Sequence, residues 1–235
     1  MIYRNNRYLD KQQSNEQSFM ISVSDIMVGM LFLFIIMIAY FTYKFRLEQQ
    51  KRLSDVDPRG YVTSLIGAEI KRSMPDIRID PSNGIITLPE ELLFDIGSSV
   101  IKPSVVNKLR DISNKLETVI MCFVANQRVH QDCSKNPHGH EIETIFIEGH
   151  TDNRPMLKDG GNIKLSLDRA LSVNAALVDS TPLENFKNKD NYSIFSFAAY
   201  ADKRLLIKNN PSDARNRRVD LRIILTYKPS VALTR

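Results

Sequence analysis

Tryptophan is absent from this chain, and only two cysteines and four histidines occur in its 235 residues. No H-E-x-x-H pair, no tight C-x-x-C pair and no nucleophile with an adjacent base is present. The standard metalloprotease, zinc-finger and covalent-hydrolase patterns are therefore excluded. No stripe of basic residues interleaved with aromatics occurs, and the net charge of +5 is spread along the chain. Direct nucleic-acid binding is not expected on that composition. The largest basic cluster, Arg215-Asn216-Arg217-Arg218, stands immediately before an apolar strand. Internal repeats are missing as well.

What the chain does have is one long apolar run. Residues 26–41 carry no charge, and the stretch extends back to Phe19. A span over 19–43 is long enough to cross a bilayer. No A-x-A-like site follows it, so the reading is an uncleaved anchor with a polar cytoplasmic tail over 1–18. Charge does not orient it clearly: Arg4, Arg7 and Lys11 precede it, and Lys44, Arg46, Lys51 and Arg52 follow. By the positive-inside rule alone, the C-terminal side mildly favours the cytoplasm.

Asp25 sits near the start of this run, in Ser22-Val23-Ser24-Asp25-Ile26. A carboxylate at membrane depth costs about 2.5–3.5 kcal/mol on insertion scales, so it marks a proton or cation site. The competing reading is an N-terminal helix cap at headgroup level, because helix starts favour Asp. The residues alone leave both open.

Beyond the span, residues 44–75 form a charged linker and an amphipathic helix marked by Val62, Leu65, Ile66 and Ile70. Residues 76–228 alternate strand and helix. Ile77-Arg78-Ile79 and Ile85-Ile86-Thr87-Leu88 flank the turn cluster Asp80-Pro81-Ser82-Asn83-Gly84, a hairpin signal. Val105, Leu109, Ile112, Leu116 and Val119 give a helix over 102–120. Residues 125–141 read as a polar excursion. A strand follows over 142–148, then a helix over 165–178 and strands over 194–199 and 218–226. This order predicts a compact α/β sandwich, α+β in overall class, with a tail at 229–235.

Cys122 and Cys133 lie eleven positions apart, which fits one local disulfide if the domain is exported, with two free buried thiols as the alternative. His130, His138 and His140 lie nearby, but their spacing fits no zinc motif. Glu148, His150 and Asp152 alternate along a strand end without a nucleophile, so His150 reads as scaffold and no enzyme activity is expected.

Three ordered elements carry a family resemblance: Gly149-His150-Thr151-Asp152, then Asn162-Ile-Lys-Leu165-Ser166-Leu-Asp-Arg169-Ala170, then Asn216-Arg217-Arg218-Val219. Over roughly 85–226 the chain resembles the OmpA-like peptidoglycan-binding domains. The resemblance implies a site for the wall peptide's diaminopimelate, whose side-chain end bears both an ammonium and a carboxylate. Asp152 would take the ammonium and Arg169 the carboxylate, with Thr151 and Asn162 shaping the loop. Arg218 would face the same ligand or lie in a network at the edge of the core. The alternative for Asp152 and Arg169, from the residues alone, is a structural ion pair. The loop 154–161 is longer than in the shortest members.

An acid-bearing N-terminal helix followed by such a domain resembles the B subunits of MotAB-type stator units, which are ion-driven rotary motors. That resemblance implies an inner-membrane protein with a cytoplasmic N-terminus and a periplasmic domain. It also implies a homodimer inside a ring of five A-type membrane subunits, with Asp25 relaying protons or sodium ions and no other cofactor. Within this group the chain is more similar to the ZorB subunits of Zorya anti-phage defence than to flagellar B subunits. It lacks the Trp and Ala-Asp-Phe-Met pattern of the flagellar type, and its linker is short. A flagellar stator subunit and a passive wall anchor are the alternatives.

Overall fold

The apolar run forms one uninterrupted helix, α1 (Val23–Phe45), in the computed structural model, which describes residues 23–45, 57–128, 133–157 and 160–226. An 18-residue window of it reaches a mean hydropathy of 2.3, and none of that window is buried. At about 1.5 Å per residue the helix matches the roughly 30 Å hydrocarbon core of a bilayer. Toward its C-terminal end, Thr42 Oγ1 donates to the Ile38 carbonyl at 2.7 Å. The helix extends two residues past the expected end at 43. Residues 19–22, the tail 1–18 and the linker over 46–56 lie outside the described residues. So do the C-terminal residues 227–235.

The chain divides into two units, Met1–Leu53 and Ser54–Arg235. The second opens with α2 (Pro58–Ser73). Pro58 occupies its first turn, and the Asp57 carboxylate accepts the free Gly60 N–H at 2.9 Å. Val62, Ile66 and Ile70 form its buried stripe. The expected hairpin follows as β1 (Arg78–Asp80) and β2 (Ile85–Pro89). Asp80 organises the turn by accepting from Ser82 Oγ, Asn83 Nδ2 and Asn83 N, and Gly84 completes it at φ 71°. A single turn of helix, α3 (Glu90–Leu93), precedes α4 (Pro103–Ile120). All five apolar residues that predict α4 are buried, which is the stripe its spacing requires.

The polar excursion carries one short helix, α5 (Ala125–Arg128), and a turn organised by buried Asn136. That side chain donates to the Cys122 and His140 carbonyls and accepts from His140 N, all at 2.7–2.8 Å. A disulfide joins Cys122 to Cys133, with Cα atoms 5.4 Å apart. Both sulfurs are thereby withdrawn from metal ligation, which needs thiolates. His130 lies outside the described residues.

Next come β3 (Ile142–His150), α6 (Gly161–Leu177), β4 (Phe195–Ala201) and β5 (Arg218–Leu225). The sheet order is β1-β2-β5-β3-β4, antiparallel except where β3 and β4 run parallel on either side of the α6 crossover. The expected class, one apolar helix followed by an α/β sandwich, is the one observed. α6 begins four residues earlier than its apolar spacing suggests, because Gly160 takes the left-handed conformation (φ 80°) that lets the loop turn into the helix. On β3 and β5 the faces alternate. Ile145, Ile147, Val219, Leu221 and Ile223 enter the core, while Glu148, His150, Arg218 and Asp220 share the opposite face. Gly149 lies on the α6 side, where a Cβ would collide with the Ser166 backbone carbonyl. That close approach docks α6 onto the strand that carries the G-H-T-D motif.

Candidate functional site

The end of β3 and the start of α6 form one corner. Thr151 N donates to the Ala201 carbonyl at 2.9 Å, which holds the strand exit against β4. Asn162, in the first turn of α6, ties the loop down. Its Nδ2 donates to the Asp152 carbonyl at 3.2 Å and the Arg154 carbonyl at 3.0 Å, and its Oδ1 accepts Met156 N at 3.1 Å. The Thr151 hydroxyl donates to the Asp152 carbonyl at 2.9 Å. Thr151 and Asn162 therefore fix the backbone that presents Asp152. Two turns along α6 from Asn162, on the same helix face, stands Arg169.

Asp152 and Arg169 do not touch as an isolated pair. Asp152 accepts Arg154 N, Nε and Nη2 at 3.1, 2.8 and 2.6 Å, and Arg217 Nη1 at 2.9 Å. Burial opposes its ionisation, but the hydrogen bonds from Arg154 and Arg217 outweigh burial and hold the carboxyl below the usual range. Arg169 is 1% exposed, donates from Nη2 to Glu90 and from Nε to the Ser98 carbonyl, and lies 5.4 Å from the Phe94 ring centre. Glu90 also accepts Arg217 Nε. Two carboxylates thus bridge three guanidiniums, which leaves the cluster, among the described residues, with one uncompensated positive charge. Arg169 Nη1 is buried and has no hydrogen-bond partner among the described residues. A buried, unsatisfied guanidinium N–H in a net-positive cluster favours an anion. These groups line a cavity of about 130 Å³ that Thr151, Asn162 and Met156 also border.

Four of the five pocket residues proposed from sequence converge here, and Arg218 does not. Its Nε donates to Asp220 at 2.9 Å on the opposite face of the sheet, and its Nη1 and Nη2 reach the Asn216 and Arg204 carbonyls. Of the two placements left open for Arg218, the network placement is correct, and it is not a pocket residue. Its neighbour Arg217 precedes β5 and turns toward Glu90 and Asp152 instead. Glu90 and Arg217 were not singled out from sequence. Glu90 lies 79 residues from Arg169 and 127 from Arg217, beyond any local pattern.

The Arg218 face holds a second buried group. Glu148, His150 and Asp220 approach within 4.8 Å of one another. Arg222 binds Glu148 through two hydrogen bonds at 2.8 and 2.9 Å, and Arg218 binds Asp220, so both carboxylates are already neutralised. His150 stacks on Tyr200 at 5.3 Å, a scaffold position. Burial raises the Glu148 pKa, but His150 and Arg222 more than offset it and bring it from 4.5 to about 2. A depressed carboxylate stabilises the fold above its unfolded pKa and loses that contribution as pH falls through the folded value. The domain should therefore lose about 3 kcal/mol from this group between pH 4.5 and pH 2. Chemical denaturation across that range should show the loss, and Glu148→Gln should flatten it.

Residues 127–218 match the OmpA family model. The C-terminal domain is OmpA-like. Among solved structures, the chain is similar to the cell wall anchor of the T6SS from Pseudomonas aeruginosa, at 20% identity and a TM-score of 0.40. That match covers 65% of this chain and 94% of the other. A putative MotB like protein from Desulfovibrio vulgaris shows 18% identity and a TM-score of 0.44, covering 77% of this chain and 99% of that one. For a periplasmic domain of MotB the values are 20% and 0.40, covering 58% of this chain and 60% of that one. No curated protein matches the sequence. In the OmpA-like domain the G-H-T-D element is the strand exit, the N-x-x-L-S-x-x-R-A element is the first half of α6, and the N-R-R-V element enters β5.

Proposed function

We propose that the chain is the wall-anchored B-type subunit of an ion-driven membrane stator, acting in anti-phage defence of the Zorya kind. The pocket carries this reading through one observation. Arg169 Nη1 is buried and unpartnered among the described residues, and Arg169 and Asp152 line one cavity. One forked cation and one anion side by side suit a ligand end that bears both a carboxylate and an ammonium. Diaminopimelate of the wall peptide has that end. Binding, not bond cleavage, is the proposed role.

The membrane half of the proposal rests on α1. A helix with fully exposed apolar sides needs lipid or partner helices around it. Asp25, Gly29, Phe32 and Ile36 share one face of α1 by helical spacing, so the acid and the small residue point the same way. A close-packed partner could approach along that face. The proposed arrangement has two copies of this chain within a ring of A-type subunits, protons or sodium ions passing Asp25, and the OmpA-like domain in the periplasm. The defence assignment rests on the absent Trp, the run after Asp25 and the short linker. A flagellar stator of MotB type is the reading it competes with.

Sedimentation with purified peptidoglycan tests the anchor. The full-length chain should co-sediment, and Asp152→Asn should remain in the supernatant while still unfolding cooperatively, at a midpoint lowered by the lost ion pair to Arg217. Co-sedimentation of that variant at wild-type level would remove the pocket from wall binding. Identifying the multi-span protein that co-purifies, and the genes beside it, separates defence from motility.

A further inference from the structure

The carboxylate that would receive the ligand's ammonium is already engaged. Arg154 places Nε and Nη2 at 2.8 and 2.6 Å from Asp152 Oδ2, and Arg217 Nη1 lies 2.9 Å from the same oxygen. An incoming ammonium meets two resident guanidiniums, and these are not held alike. Arg217 is anchored a second time by Glu90, and its side chain is only 16% exposed. The Arg154 side chain is 59% exposed, and among the described residues all its hydrogen bonds go to Asp152. Its backbone, by contrast, is clamped. Asn162 holds the Arg154 carbonyl, and Arg154 N is bound to Asp152 Oδ1 at 3.1 Å. The side chain can leave while the loop stays in place.

We propose that Arg154 is a resident competitor in the wall pocket: its guanidinium holds the ammonium position on Asp152 in the free chain and swings into solvent to admit the ligand. The proposal rests on the pocket reading above. Arg154 then sets both affinity and selectivity, because only a ligand that also engages the Arg169 fork gains enough to displace it. A lone amine does not. An exposed ion pair is a suitable latch. It is weak enough to open readily, and Arg217 stays on the buried Asp152 when it does, so the carboxylate is not left uncompensated.

Binding of a stem pentapeptide containing diaminopimelate to the full-length chain, measured by calorimetry, tests this with three variants. Arg154→Gln should bind about fivefold more tightly than wild type, equal to about 1 kcal/mol. Arg154→Lys, which keeps a competing cation, should stay within about twofold of wild type. Asp152→Asn should not bind. Unchanged or weaker binding by Arg154→Gln, with wild type binding normally, overturns the competitor role and leaves the pocket intact. Failure of wild type and every Arg154 variant to bind overturns the pocket reading along with it. Wild-type affinity in Asp152→Asn overturns the ammonium position on which the competition depends.

Discussion

Asp25→Asn should abolish ion-driven function while leaving the chain in the membrane and on the wall. The substitution separates the two readings of this residue cleanly. As a helix cap, Asn is about as good as Asp, so a capping role would survive the change. As an ion relay, the carboxamide neither exchanges a proton nor carries the charge that binds a cation, so the role would be lost. Asp25 lies within described α1, two residues after Val23. The measurement is ion flux, in membranes that contain the chain and its A-type partner, compared with co-sedimentation on peptidoglycan. Loss of flux with retained wall binding is expected. Wild-type flux in the variant would make Asp25 a cap.

Arg169→Lys should weaken wall binding by about tenfold or more without unfolding the domain. Alanine is the poorer choice here, since removing one partner of a buried ion pair costs about 3–5 kcal/mol. Lysine keeps the charge against Glu90 but loses the fork. Arg169 uses two of its nitrogens for Ser98 and Glu90, and the third, Nη1, is buried with no hydrogen-bond partner among the described residues. An ammonium cannot serve all three directions. A charge-assisted hydrogen bond is worth about 1.5–3 kcal/mol, which sets the scale of the loss. Unchanged sedimentation on peptidoglycan, with an unchanged thermal midpoint, would assign Arg169 to structure alone.

The helices and the hairpin were legible because their signals are local. Val105 to Val119 repeat at helical spacing, and Asp80 to Gly84 supply every group that the turn uses. Half of the pocket was legible for the same reason. Asp152, Asn162 and Arg169 fall within one strand-loop-helix segment. Glu90, Ser98 and Arg217 were not, because they reach the pocket from elsewhere in the chain. The sheet brings Glu90 beside Arg217, where Pro89 pairs with Arg218. Placing Arg218 was within reach of a period-two count. Val219, Leu221 and Ile223 point into the core, so Arg218, Asp220 and Arg222 must share the other face. That count also leaves Arg217 ahead of the strand, free of its alternation. The start of α6 was misplaced because two glycines, which carry no apolar signal, form its entry.

Competition by two wall pentapeptides tests the central claim, that this pocket reads a carboxylate and an ammonium together. One peptide carries diaminopimelate at its third position, and the other carries lysine. In the lysine peptide the side chain ends in an ammonium alone, which leaves Arg169 Nη1 without a partner. The diaminopimelate peptide should release the full-length chain from peptidoglycan at a concentration at least about tenfold below that of the lysine peptide. Equal release by the two would contradict the account.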